Sequence, residues 1–327
     1  MGKKSNKRLF YLSLLFLLAL YSTFIYKSLA PRLPEPGAPP LLYSRGELTK
    51  TFIEAIHGAK TSIHLVMFGL TDPKILYQLK KKSDSHIPTK IFYDPSASAT
   101  QDLAMLEAFP ITGKGLMHQK ILIVDEERVF LGSANMTTPS LNMHDNLLVG
   151  IYSPKLAHFL IEKGPLSSGY LKTTIGGQQV EVWLLPDKHN YALHAILNLF
   201  FHAGKTIKIA MFTLTHPLLI EGIAQAAKRG VDVTLLLDKN ASYSSKSALE
   251  ALQKEKVKIL YGTGPQLLHH KFLYIDDQTL LCGSANWTKA AFHQNHDSFI
   301  ILHNVTQDQK KFMKHLWDSL WWTSQEK

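Results

Sequence analysis

Two histidines and two lysines recur in this chain with the same neighbours at the same spacing. His118-x-Lys120 is followed by Asp125 and by Gly132-Ser133-Ala134-Asn135, and the set returns as His269-x-Lys271, Asp276 and Gly283-Ser284-Ala285-Asn286. From His118 to His269 the interval is 151 residues, and it holds at every matched position. An imidazole can attack, donate a proton or accept one near neutral pH. Lysine ammonium and asparagine amide groups can hold an anion while negative charge builds on it. A duplicated set of these types fits a site made across a pseudo-two-fold axis, with two imidazoles facing one phosphodiester.

Strands are expected to position them. Residues i and i+2 of a strand share a face, so His118 should point with Lys120 and His269 with Lys271, leaving Gln119 and His270 turned away. Upstream, Leu48 to His57 has helical spacing, and Thr61 to Phe68 reads as a buried strand. Asp72-Pro73 opens a helix, and Thr89 to Tyr93 is a strand ending on Asp94. The second half repeats this order. Met67-Phe68-x-Leu70-Thr71-x-Pro73 returns as Met211-Phe212-x-Leu214-Thr215-x-Pro217, and Asp94 returns as Asp238. This upstream interval is 144, so seven residues are inserted before the second histidine, in what reads as a loop-rich segment. Alternating strands and helices predict an α/β fold. It consists of two similar halves, each with a mixed sheet, spanning residues 41–165 and 178–327 about a pseudo-two-fold axis. A glycine-rich stretch, Gly164 to Gly177, separates them, and Val180 to Leu185 opens the second half as Leu41 to Ser44 opens the first.

These residues carry a family resemblance. The chain resembles the phospholipase D superfamily, whose signature is His-x-Lys-x-x-x-x-Asp with a downstream Gly-Ser-x-Asn, twice per polypeptide. The likeness runs from about Leu41 to Asn304. It implies two α/β halves around one active site and metal-independent catalysis through a phosphohistidine. His118, Lys120, Asp125, His269, Lys271 and Asp276 are then the candidate catalytic residues, with Asp125 and Asp276 read as strand-end anchors. Lys120, Asn135, Lys271 and Asn286 would bind the phosphate, with Ser133 and Ser284 either as additional donors or as residues that shape the turn. The family usually has an acidic residue 28 positions past the motif histidine, backing that imidazole. The second copy keeps it as Asp297, with Asn295 two residues earlier; the first has Asn146, with His144 two earlier. A carboxylate favours the imidazolium. On that expectation His269 is the general acid and His118 the nucleophile.

Bulk properties leave the substrate open. Of 327 residues, 45% are apolar and 19% charged, as in a globular protein with a real core. The net charge of +10 suits nucleic acid or anionic lipid alike. Cys282 is the one cysteine, which excludes an intramolecular disulfide and a cysteine metal cage. Its mate is Leu131, so it reads as core. Histidines such as His57, His64, His158 and His293 lack partners at metal-ligand spacing, and no metal or other cofactor is expected. No obligate protein partner is expected either.

The first 30 residues carry a topology signal. A basic start precedes an apolar run from Leu9 to Tyr26, close to the roughly 20 residues that span a bilayer. We expect a single-pass transmembrane anchor, with the catalytic part on the non-cytoplasmic side, or a secreted protein if Ser28-Leu29-Ala30 is a cleavage site. Pro31 to Pro40, with five prolines, reads as a stiff linker. Tethering favours a phospholipid membrane as substrate and partner. An endonuclease acting on DNA or RNA is the alternative, and a catalytically silent scaffold a minor one.

Overall fold

The computed structural model describes residues 10–18, 20–21, 30–241, 246–264 and 266–326. Contacts divide the chain into Met1–Arg32 and Leu33–Lys327. In the first unit Phe10 to Leu18 is helical. The whole basic flank and the later part of the apolar run lie outside the described residues. Among the described residues no helix is long and apolar enough to cross a membrane.

The second unit contains two mixed sheets. The first has seven strands: β1 (Leu41–Ser44), β2 (Ile63–Met67), β3 (Thr89–Tyr93), β4 (Glu107–Pro110), β5 (Lys120–Val124), β6 (Arg128–Gly132) and β7 (Leu147–Tyr152), in the order β1-β7-β6-β5-β2-β3-β4. The second has β8 (Gly169–Ile175), β9 (Gln178–Leu184), β10 (Thr206–Met211), β11 (Asp232–Asp238), β12 (Lys258–Gly262), β13 (Lys271–Ile275), β14 (Thr279–Gly283), β15 (Ser298–Leu302) and β16 (Ser324–Glu326). Its order is β16-β12-β11-β10-β13-β14-β15-β9-β8. The cores match: β2-β3-β4 and β10-β11-β12 are parallel, while β5-β6-β7 and β13-β14-β15 are antiparallel meanders. One apolar layer joins the sheets, with Ile121, Val149 and Ile151 meeting Phe272, Cys282 and Ile300; a further layer lies under the helices of each half. Cys282 is core, as its mate Leu131 implied.

Local signals placed most elements. Asp72 caps the helix Pro73–Asp84 by accepting from the backbone N–H of Lys74 and Ile75. Thr306 and Gln309 form a capping box on the closing helix Gln307–Trp322, which buries Met313, Trp317 and Leu320. Three expectations differ from the structure. The glycine-rich stretch is not a plain connector, because Gly169–Ile175 forms edge strand β8, turned onto β9 by Gly176 and Gly177, both with positive φ. The Pro-rich segment from Leu33 onward lies on the body: Pro34 and Pro40 are buried, and Pro40 O accepts from Gln309 Nε2 at 2.7 Å. The inserted residues coincide with a longer helix, Lys246–Lys254, where the first half has only Thr100–Leu103.

Candidate active site

Each motif glycine is required by the packing of its own sheet. A Cβ on Gly132 would lie 2.2 Å from Leu147 O, and one on Gly283 would lie 2.2 Å from Ser298 O. The chain must pass that closely for the next residues, Ser133 and Ser284, to reach the strands that carry Asn146 and Asp297.

The histidines precede their strands and are held by the opposite half. Met117 forms an isolated parallel bridge with His296, and Leu268 forms the mate with Asp145. His118 N–H donates to His296 O at 2.8 Å, and His269 N–H donates to Asp145 O at 3.0 Å. These two bridges carry each imidazole across the pseudo-axis. The side-chain pairs cross accordingly. His118 Nδ1–H donates to Asp297 Oδ1 at 2.7 Å, and His269 Nδ1–H donates to Asn146 Oδ1 at 2.9 Å. Asn146 Nδ2 donates to Ser140 O at 2.9 Å, which fixes the amide with its oxygen toward His269. Both rings therefore leave Nε2 for substrate. The expectation that Asp297 backs His269 is overturned: it backs His118, because an interval counted along one copy cannot show that the copies exchange partners. The carboxylate of Asp145, the acid next to Asn146 in sequence, pairs instead with Arg45 at 3.2 Å.

Ser133 and Ser284 are not phosphate donors. Ser133 Oγ donates to Asn146 Oδ1 at 2.8 Å and Ser284 Oγ to Asp297 Oδ1 at 2.7 Å, both hydroxyls being buried. They hold the groups that hold the imidazoles. Asp125 and Asp276 stand at the other end of β5 and β13, about 16 Å along the strand from the lysines by strand rise. Asp125 Oδ1 accepts the backbone N–H groups of Lys60, Thr61 and Ser62. Asp276 accepts those of Gly204, Lys205 and Thr206. They pin the loops entering β2 and β10 and take no part in the site, so their place among the catalytic candidates falls and the anchor reading stands.

Lys120 and Lys271 are each 1% exposed. Their ammonium groups donate to His118 O at 2.6 Å and His269 O at 3.0 Å. Phe68 packs edge-on against His118 and under Lys120, and Phe212 does the same for His269 and Lys271. These phenylalanines were not singled out as site residues, although the repeated Met-Phe-x-Leu-Thr segment carried the signal. Asn135 and Asn286 keep mirrored places, each with a buried Oδ1 lacking a hydrogen-bond partner.

Burial dominates the electrostatics. It pushes Lys120 down to about 7, although Asp297 and Asp94 pull the other way. Burial, followed by the charge of Lys120, puts Lys271 well below the ordinary lysine range. His269 lies well below the ordinary imidazole value through burial, then Lys271, Lys120 and His118. His118 is lowered by burial and Lys120, with Asp297 opposing. Asp297 is held below the carboxylate range: burial raises it, but His118, Lys120 and Ser284 prevail. Four cationic candidates thus influence one another in a dry site without enough negative charge, which is what an incoming anion would supply. Among the described residues no group of three or more His, Cys, Asp or Glu is placed to hold a metal ion.

A family model described as "Cardiolipin synthase, PLD-like domain" matches residues 52–163 and 196–321. A mitochondrial cardiolipin hydrolase of Chlamydomonas reinhardtii is 27% identical over 130 residues, covering 39% of this chain and 58% of that one. Its Homo sapiens counterpart is 27% identical over 110 residues, 34% and 44% of the two chains. The chain thus spans about half the length of these curated relatives. Among solved structures, the phosphatidylserine synthase of Haemophilus influenzae aligns with a TM-score of 0.71 at 14% identity, over 91% of this chain and 90% of that one. That likeness is one of fold.

Proposed function

We propose, for a chain that belongs to the phospholipase D-like family, that it is a phosphodiesterase that hydrolyses or exchanges phospholipid head groups through a phosphohistidine on His118. The observation that carries this is the crossed pair of holders: a carboxylate behind one imidazole and an amide behind the other. When His118 Nε2 bonds to phosphorus while Nδ1 keeps its proton, the ring becomes a cation and stays one throughout the intermediate. Asp297 at 2.7 Å stabilises that charge. His269 needs the reverse. As general acid it gives up its proton to the leaving ester oxygen, and a neutral amide partner keeps it acidic enough to do so. His118 thus keeps the role expected from the sequence, for a different reason.

The steps follow from this assignment. The bound phosphodiester anion brings the charge that lets Lys120, Lys271 and His269 hold protons. His118 Nε2 attacks phosphorus as the ester bond breaks and the His269 proton passes to the leaving oxygen. Lys120, Lys271, Asn135 and Asn286 stabilise the non-bridging oxygens as charge accumulates. Water, or an alcohol in transfer, then loses its proton to His269 and attacks phosphorus, and the bond to His118 breaks.

The names of the relatives support lipid over nucleic acid, and the net charge of +10 suits an anionic membrane. We propose further that Leu9 to Tyr26 anchors the protein in that membrane, with the catalytic unit outside the cytoplasm. Its support is the length and apolarity of the run and the helix at Phe10 to Leu18.

The full chain, given cardiolipin, phosphatidylcholine and single- and double-stranded DNA with EDTA present, should release phosphatidic acid or its phosphatidyl equivalent. His118→Ala should abolish that release. Acid-labile phosphate trapped during turnover should map to His118. A label on His269 would exchange the two roles, and cleaved DNA with intact lipid would replace the lipid reading by the nuclease one.

A further inference from the structure

Behind His269 lies a second cavity, of about 200 Å³, far larger than the roughly 10–15 Å³ a single water needs. Ser44, Arg45, Asp145 and His270 form one side, and His315 and Ser319 of the closing helix form the other. Asn146, which holds His269, is the wall shared with the active site. His270 is 1% exposed, and neither of its ring nitrogens has a hydrogen-bond partner. A buried imidazole left wholly unpaired costs free energy, and native structures rarely carry that cost without a ligand or water.

The charges facing this space select the ligand. Asp145 is the one acid there, and Arg45 already faces it at 3.2 Å. His270 has no acid in this lining to match it, and the acid beside His315, Asp318, is on its own helix outside the lining. Arg45 and Lys271 make the potential at His270 positive; after burial they are what drives its pKa down to about 3. A spot with positive potential, an unused ring N–H and two nearby hydroxyls is built for an anion. The fold does not demand it. The pseudo-symmetric positions hold Leu185 for Arg45, His296 for Asp145 and Gln119 for His270.

We propose that this cavity is a second, non-catalytic site for a phosphate group, bound by Arg45, His270 and His315 against the back of Asn146. The group can be free phosphate or the head of a lipid phosphomonoester, which share this chemistry. The proposal is independent of which substrate the catalytic site takes.

Calorimetric titration of the full chain with inorganic phosphate tests it. One bound equivalent should survive Lys120→Ala and be lost in both Arg45→Gln and His270→Phe. Arg45 is partly exposed, so its glutamine variant should fold even if the phenylalanine variant does not. Vesicles containing phosphatidic acid identify the source. At least fivefold weaker binding of Arg45→Gln to them, relative to pure phosphatidylcholine vesicles, assigns the site to a lipid head; equal binding assigns it to the free ion. If every bound equivalent depends on Lys120, or none depends on Arg45, the cavity holds only water and the proposal is overturned. Loss of lipid cleavage with the Arg45-dependent equivalent intact would instead refute the catalytic reading alone.

Discussion

The two halves share a framework but treat their histidines differently. Each bridges to the other half one residue before its histidine, packs a phenylalanine against the ring, and buries a lysine that donates to the histidine carbonyl. The holder differs in charge: Asp297 is an anion and Asn146 is neutral. Symmetry in the framework gives two imidazoles one geometry, and the exchanged side chain gives them different electrostatic surroundings.

Exchanging the holders should have the largest effect. Asp297→Asn should slow formation of the phosphohistidine about 10³- to 10⁴-fold, the scale set by carboxylate-to-amide changes behind a catalytic imidazole. Asn146→Asp should slow only substrates with poor leaving groups, leaving a p-nitrophenyl diester nearly unaffected. Pre-steady-state bursts on both substrate types measure this. Equal losses in the two variants would remove the assigned asymmetry.

The framework, by contrast, should respond alike in both halves. Gly132→Ala and Gly283→Ala should each destabilise by about 2–4 kcal/mol, since each Cβ meets a carbonyl of the neighbouring strand that cannot move cheaply. Denaturant unfolding compares them, and a large inequality would mean the halves are not equivalent supports.

A smaller and opposite effect is expected at Lys120. Its folded pKa, about 7, lies below the ordinary 10.5. Below pH 7 the folded and unfolded forms both carry the proton, so the full burial penalty acts; it shrinks between 7 and 10.5 and is gone above. Lys120→Met should therefore abolish turnover yet stabilise the fold by about 1–3 kcal/mol at pH 6, with the gain fading as pH rises. Thermal melts across pH 6–9 decide it.

The smallest effect concerns binding in the unaltered protein. A phosphodiester anion favours protonated Lys120, so above pH 7 binding must take up a proton. Affinity for a non-hydrolysable diester should fall about tenfold per pH unit there. Calorimetry in buffers of different ionisation enthalpy reads the uptake directly, and a pH-independent affinity would place the charge elsewhere.

Much of this was legible in one dimension. Matched spacing gave the duplicated strands and helices, the face shared by histidine and lysine, the core position of Cys282 and the anchoring role of Asp125 and Asp276. Misreadings gathered where local pattern was weak or shared: β8 passed for a connector because glycines flank it, and the proline-rich segment passed for a spacer because its contacts are remote.

Residue type and repetition alone determined that this chain carries two imidazole–lysine–asparagine sets and so the means for phosphoryl transfer. Which group stands behind which ring was decided only by folding. Spacing along a chain records neighbours within one copy, whereas the paired bridges Met117 to His296 and Asp145 to Leu268 join positions in different copies. That exchange turned Ser133 and Ser284 from donors into supports and moved the carboxylate from His269 to His118.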